Sequence, residues 1–352
     1  MQTRLRALGG AIIAIALTAS LASCGDEEAS GHDGTVTLLT HNSWAVSEEV
    51  LAAFEAESGF TVRHIPLGNA AELTNQIVLT KDAPLGDVVF GIDNTFASRA
   101  LDAGALQTFI PTNLSASATG YVLDEGALIP VTRGDVCINI DTAWFAEHDR
   151  AEPQRIADLI RPEFADLTVV LNPATSSPGL AFFLATIDLF GEPAESGWMH
   201  FWIALGDNGV RVAESWSAAY RTEFSGSGEG GTRPIIVSYS SSPAFTLTDD
   251  GQATTTRALL DGCFRQVEYA GILTGAGNVE GAQALIEFLV SPTFQADIPG
   301  QMWVYPIDDA VELPADWARF GPLADTVYGP SAADIEANRD NWIDQWTQIV
   351  LD

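Results

Sequence analysis

Lysine is almost missing from this chain: Lys81 stands alone, and every other base is arginine. The 352 residues hold 16 bases against 47 acids, a formal charge of -31 with a pI near 4.2. A nucleic-acid partner is excluded, because a phosphate backbone needs a basic stripe to displace its counterions. The lysine shortage itself reads as compositional bias or a saline habitat rather than as a site. Histidine is also scarce, at five, and cysteine scarcer, at three. No His-Glu-x-x-His zinc helix, Gly-x-Ser-x-Gly nucleophile turn or Walker phosphate loop is present. No catalytic residue and no metal or cofactor site is therefore expected, and the chain reads as a binder rather than an enzyme. Charged residues make up 18% and hydrophobic ones 47%, which argues against disorder, a collagen repeat or a multi-span membrane protein. The length suits one large or two ordinary α/β domains.

What is present begins with an address. Arg4 and Arg6 precede an apolar run from Ala7 to Leu21, followed by Leu21-Ala22-Ser23-Cys24. The run is short for a membrane span and fits a signal h-region, so residues 1–23 are expected to be a signal peptide. The segment resembles a bacterial lipoprotein signal, in which Cys24 is acylated and becomes the mature N-terminus. A plain secretory peptide with an incidental cysteine is the alternative. Residues 24–34 then form a polar, lipidated tether, and the membrane is met only through that anchor. Cys137 and Cys263 remain; outside the cytoplasm such a pair is either bridged or two unrelated buried thiols.

From Thr35 the pattern alternates strand and helix. Val36–Thr40, Phe60–Ile65 and Asp87–Gly91 read as strands, with helices over Glu48–Ser58 and Ala71–Thr80. Such alternation predicts a parallel sheet covered on both faces, with ligands on the loops beyond the carboxyl ends of its strands. Those loops are His41-Asn42-Ser43-Trp44, Leu67-Gly68-Asn69 and Ile92-Asp93-Asn94. A second alternating stretch starts near Asp135, and Gln266–Leu273 returns as a strand. The long insert, leaving near Val136 and returning near Val267, predicts two lobes joined by two crossings. Lobe 1 spans 35–134 plus 266–352 and lobe 2 spans 135–265, with a ligand cleft between them.

Aromatic residues stand at the ends of strands and turns. Trp216 follows a strand, Tyr239 ends one ahead of Ser240-Ser241-Ser242-Pro243-Ala244-Phe245, and Trp303 sits at a turn. Core aromatics normally lie within elements, so three at loop positions suggest a ligand surface, although any one of them taken alone is equally well explained as covering a local gap. Flat π-faces suit planar or cationic ligands, at about 0.5–2 kcal/mol per cation–π contact. Thr175-Ser176-Ser177-Pro178-Gly179 is a helix start whose free N–H groups and hydroxyls would also suit an anion, though most such starts merely cap their helix.

Several of these segments together resemble the thiamine-binding periplasmic proteins, the solute-binding components of bacterial thiamine ABC transporters. The carriers are Thr40-His41-Asn42-Ser43-Trp44, Asp87 through Asn94, Thr175 through Leu180, Trp216-Ser217-Ala218-Ala219-Tyr220, Ser238 through Phe245, Ser291 through Gln295, and Trp303-Val304-Tyr305-Pro306. The resemblance runs from about Val36 to Trp346. It implies a two-lobed, type II periplasmic-binding fold that closes over thiamine or its mono- or diphosphate. It places aromatic walls at Trp216, Tyr239 and Trp303 and a phosphate- or hydroxyl-binding turn at Thr175 and Ser176. His41, Trp44, Asn69, Asp93 and Phe245 complete the expected ligand set. Three positions depart from the family pattern: His41 and Phe245 replace tyrosines, and Asn69 replaces an aspartate. These changes bear on the preferred phosphorylation state more than on the ligand class.

The implied partners are an ABC permease and its ATPase, for a monomeric binder anchored outside the cytoplasmic membrane or free in the periplasm. On this reading Cys137 and Cys263, beside the two crossings, form a disulfide that restrains the hinge strands. Two competing readings keep the fold. A ferric-iron or polyamine binder would need clustered tyrosines or several cleft acids. A thiamine-phosphate-processing enzyme would need an activated nucleophile in the cleft.

Overall fold

The computed structural model describes residues 34–192 and 195–351. The expected leader and the lipidation site Cys24 lie outside the described residues. The first wing contains β1 (Thr35–Thr40), α1 (Glu48–Ser58), β2 (Thr61–Pro66), α2 (Ala70–Leu79), β3 (Val88–Asp93) and α3 (Ala97–Asp102). A short β4 (Leu106–Gln107) and α4 (Ala116–Thr119) lead to the long β5 (Ile129–Asp141). The second wing follows with α5 (Thr142–Glu147), β6 (Thr168–Leu171), α6 (Ser177–Phe190), α7 (Trp198–Asp207), β7 (Arg211–Ala213), α8 (Trp216–Ala218) and β8 (Ile235–Tyr239). The chain returns through β9 (Thr256–Leu273) to α9 (Val279–Leu289), α10 (Pro292–Met302) and β10 (Tyr305–Pro306). It ends in α11 (Ala315–Phe320) and α12 (Ala332–Val350).

One mixed sheet runs through the molecule in the order β2-β1-β3-β9-β5-β8-β6-β7, with β10 beside β5 and β4 beside β9. Each wing is parallel: β1 pairs β2 and β3, and β6 pairs β7 and β8. The wings match the parallel pairing that the strand–helix alternation predicts, and the centre, where the two crossings lie side by side, is antiparallel. The reason lies in chain direction. β5 carries the chain from the first wing to the second, β9 carries it back alongside, and two strands running oppositely pair antiparallel. Ile129–Gly134 pair with 266–270 in the first half, and Val136–Asp141 pair with 256–264 in the second.

The ladder is irregular between Val136 and Ile138, and there Cys137 is joined to Cys263 by a disulfide. The bridge ties the two crossing strands to each other where their hydrogen bonding is interrupted. On the second half, α6 packs Phe183 edge-on to Trp198 and Trp202 of α7, and Trp346 of α12 completes that buried cluster. The last helix therefore leans on the second half, although its sequence position put it with lobe 1. It also reaches the first half, where the Arg339 guanidinium donates to the Thr95 carbonyl (3.2 Å) and lies over the Phe96 ring. Among the described residues no helix is long and apolar enough to cross a membrane.

Candidate functional site

Parallel strands deliver their carboxyl ends to one edge, and both wings direct that edge at a common cleft of about 460 Å³. From the first half come His41 to Ala45 after β1, Gly68 to Ala70 after β2, and Gln301 to Val304 at the end of α10. From the second half come Ser176 to Pro178 at the start of α6, Ser215 to Ser217 at α8, Arg221 and Tyr239. Gln266 and Glu268 of β9 complete the wall.

The aromatic groups meet across the cleft. Trp216 is held by its indole N–H, which donates to Ser238 Oγ (2.9 Å), and Tyr220 stacks on it at 4.8 Å. Trp303 stands edge-on to Trp216, with centroids 6.1 Å apart. It caps α10 in a left-handed conformation, φ 61°, which turns the chain sharply and projects the indole away from its helix. Tyr239 needs a bare backbone beside it: a Cβ on Gly134 would lie 2.9 Å from the phenol ring. Burial, reinforced by the Glu268 and Asp93 carboxyls, pushes the Tyr239 hydroxyl well above the ordinary tyrosine range. It stays a neutral donor, 3.4 Å from Gln266 Oε1.

His41 also depends on a glycine. Gly91 has φ +106°, and a Cβ there would fall 2.2 Å from the imidazole. The Ser43 N–H donates to His41 Nδ1 (3.1 Å), while Nε2 lies 3.0 Å from Glu268 Oε1. Thr132 Oγ1 donates to the other Glu268 oxygen at 2.7 Å. Burial works against ionisation of Glu268, but the His41 contact and the Thr132 hydrogen bond outweigh it and hold the carboxyl below its ordinary range. Trp44 lines the cleft beside His64, at 4.5 Å, and Asn69 lines it at the start of α2, its N–H donating to Glu72 Oε2. Ser176 caps α6, and the hydroxyl of Ser177 next to it is buried without a hydrogen-bond partner.

Three expected ligand residues do not reach the wall. Asp93 is fully buried beneath it, in register with Glu268, where the Thr95 N–H and hydroxyl both donate to Oδ1. Burial, with repulsion from Glu268, pushes its carboxyl up to about 7 against those hydrogen bonds. Thr175 is turned away, its hydroxyl donating to the Glu214 carbonyl (2.8 Å). Phe245 stands behind Trp303, stacked on it at 4.4 Å, and so supports the wall without forming it. Conversely, Glu268, Gln266 and Arg221 line the cleft and were not anticipated, while Ser177 enters it from the anticipated helix start. Their signal was faint but real for two of them: Gln266 and Glu268 alternate with buried Val267 and Tyr269, the period-2 pattern of a strand with one polar face.

Comparison with known proteins agrees with this arrangement. The chain is 27% identical over 326 residues to a thiamine-binding periplasmic protein of Escherichia coli (strain K12), covering 90% of this chain and 93% of that protein. A solved periplasmic thiamin binding protein superposes with a TM-score of 0.77 at 25% identity, covering 90% and 96% of the two chains. A ferric binding protein from Campylobacter jejuni shares the fold at a TM-score of 0.69 and 16% identity, covering 89% of this chain and 99% of that one. The model of the bacterial extracellular solute-binding proteins matches residues 83–320. With its type II periplasmic-binding architecture and a cleft between two sheet halves, the chain belongs to the bacterial extracellular solute-binding protein family.

Proposed function

We propose that this chain is an extracytoplasmic receptor that captures thiamine, free or phosphorylated, and delivers it to an ABC permease without covalent chemistry. The observation that carries the reading is the meeting of Trp216 and Tyr239 from one half with Trp303 from the other around a single cleft. Thiamine is flat and permanently cationic, and aromatic faces attract such a ring through their quadrupoles. The relatives named for thiamine binding support the same ligand. Arg221 and the unpartnered Ser177 hydroxyl support acceptance of a phosphorylated arm. A ferric-iron or polyamine ligand is less well matched, because Glu268 is the one carboxylate on the described wall.

The two halves act as lobes, with β5 and β9 as the crossings and the Cys137–Cys263 bridge restraining them. A ligand held by both lobes stabilises the closed arrangement, and that closed form is what the permease and its ATPase would read. Acylation of Cys24 would keep the monomeric domain at the outer face of the cytoplasmic membrane. Tryptophan fluorescence titrated with thiamine and its two phosphates tests the reading. Wild type should saturate at one ligand per chain, and Trp216→Ala and Trp303→Ala should each bind roughly 10-fold or more weakly. Unchanged affinity in both variants would remove the aromatic cleft as the site.

A further inference from the structure

We propose that Glu268 selects the charge of the ligand: it is a standing anion on the cleft wall whose counter-ion is the bound cation. The inference rests on the thiamine reading and names the group that gives the site its preference for a positively charged ring. Among the described residues no lysine or arginine pairs with Glu268; its ion-pairing contact is with His41. Both ring nitrogens of that histidine are committed: the Ser43 N–H donates to Nδ1, and Nε2 faces Glu268 Oε1. In the tautomer this geometry favours, Nε2–H donates to the carboxylate and the pair carries a net negative charge. Each carboxylate oxygen accepts one hydrogen bond, from His41 or from Thr132, and each keeps a second lone pair.

The side chain is only 12% exposed, and what exposure it has is toward the cleft. A charge so placed is costly unless something of opposite sign joins it. The groups packed around it do not supply that sign. Asp93 beneath is a second carboxyl, Tyr239 and Gln266 are neutral, and Arg221 stands on the opposite half. A cationic ligand meets the need, and an uncharged one of the same shape does not. The aromatic rings attract a cation as well, but they also stack on neutral rings, whereas the carboxylate discriminates.

The test compares thiamine with an isostere in which carbon replaces the quaternary ring nitrogen, leaving a neutral thiophene. Binding of both is measured by calorimetry to wild type and to Glu268→Gln. Wild type should favour thiamine by at least about 30-fold, and Glu268→Gln should bring that ratio close to the few-fold preference expected of the rings alone. An equal affinity of wild type for the two ligands overturns the proposal, as does a ratio that survives in Glu268→Gln. If Glu268→Gln does not fold, Glu268→Asp serves: it withdraws the charge by one methylene and should give an intermediate ratio, and an undiminished one overturns the proposal. Wild type that binds neither ligand removes the thiamine reading and the proposal together, an outcome distinct from binding both.

Discussion

Asp93 and Glu268 face each other across neighbouring strands, yet their surroundings give them opposite protonation states. Thr132 and His41 favour the charged form of Glu268, while burial leaves Asp93 protonated up to about pH 7. The consequence for stability has a definite sign. An unfolded aspartate ionises near pH 4, so below that both states hold the Asp93 proton and nothing is lost. As pH rises from 4 through 7 the unfolded chain is favoured progressively, and the loss is complete above 7. Asp93→Asn mimics the protonated acid and should escape this loss. Urea denaturation at pH 4.5 and 8 should show the variant gaining on wild type by a few kcal/mol at the higher pH. A constant difference between the two proteins would mean that Asp93 is already ionised in the fold. Part of the cleft wall was readable: Trp216, Tyr239 and Trp303 stand where elements begin or end, so their rings had little core to enter. Thr175 and Phe245 were misplaced because sequence position marks a loop without fixing which way its side chains turn. Glu214 and Trp303, distant in the chain, claim them.

At the scale of elements the central pair β5 and β9 decides the architecture. Strands, apolar and β-branched, were legible in the first wing, and so were α1, α2 and the start of α6. The first half of β9 was not, since Asp261-Gly262 reads as a turn, and Gly262 indeed takes φ +106° within the irregular ladder. α10 was hidden by Pro299 and Gly300, which normally interrupt a helix, although Ser291-Pro292 is a regular helix start. Nor can periodicity reveal that β5 pairs with a strand over a hundred residues later. The disulfide closes that long loop, of sequence separation 126. Replacing both cysteines by serine should therefore lower unfolding free energy by about 2–4 kcal/mol, measured by denaturant titration. Thiamine affinity should change little, because neither cysteine lines the cleft. Equal stability of the two proteins would show that the unfolded chain gains nothing from release of the crossing strands.

The whole molecule combines a strongly negative charge with a cleft that presents a single carboxylate among aromatic rings. The overall field draws cations toward the protein, while the local groups decide which cation stays. Both sheet halves contribute to the wall, so a ligand that touches Trp216, Tyr239, Trp303 and Glu268 at once is held by both ends of the crossing strands. On the proposed reading, this is what would couple capture to closure. The family and the two-lobed plan were legible from the order of the loop motifs along the chain. The polarity of the cleft was not, because Glu268 and Arg221 enter it from elements whose packing only the folded chain defines. A crystal structure of the protein grown with thiamine tests the central claim most directly. The account predicts the vitamin between the Trp216, Tyr239 and Trp303 rings with its thiazolium on the Glu268 side; thiamine bound stoichiometrically elsewhere, with those rings packed against one another, would contradict it.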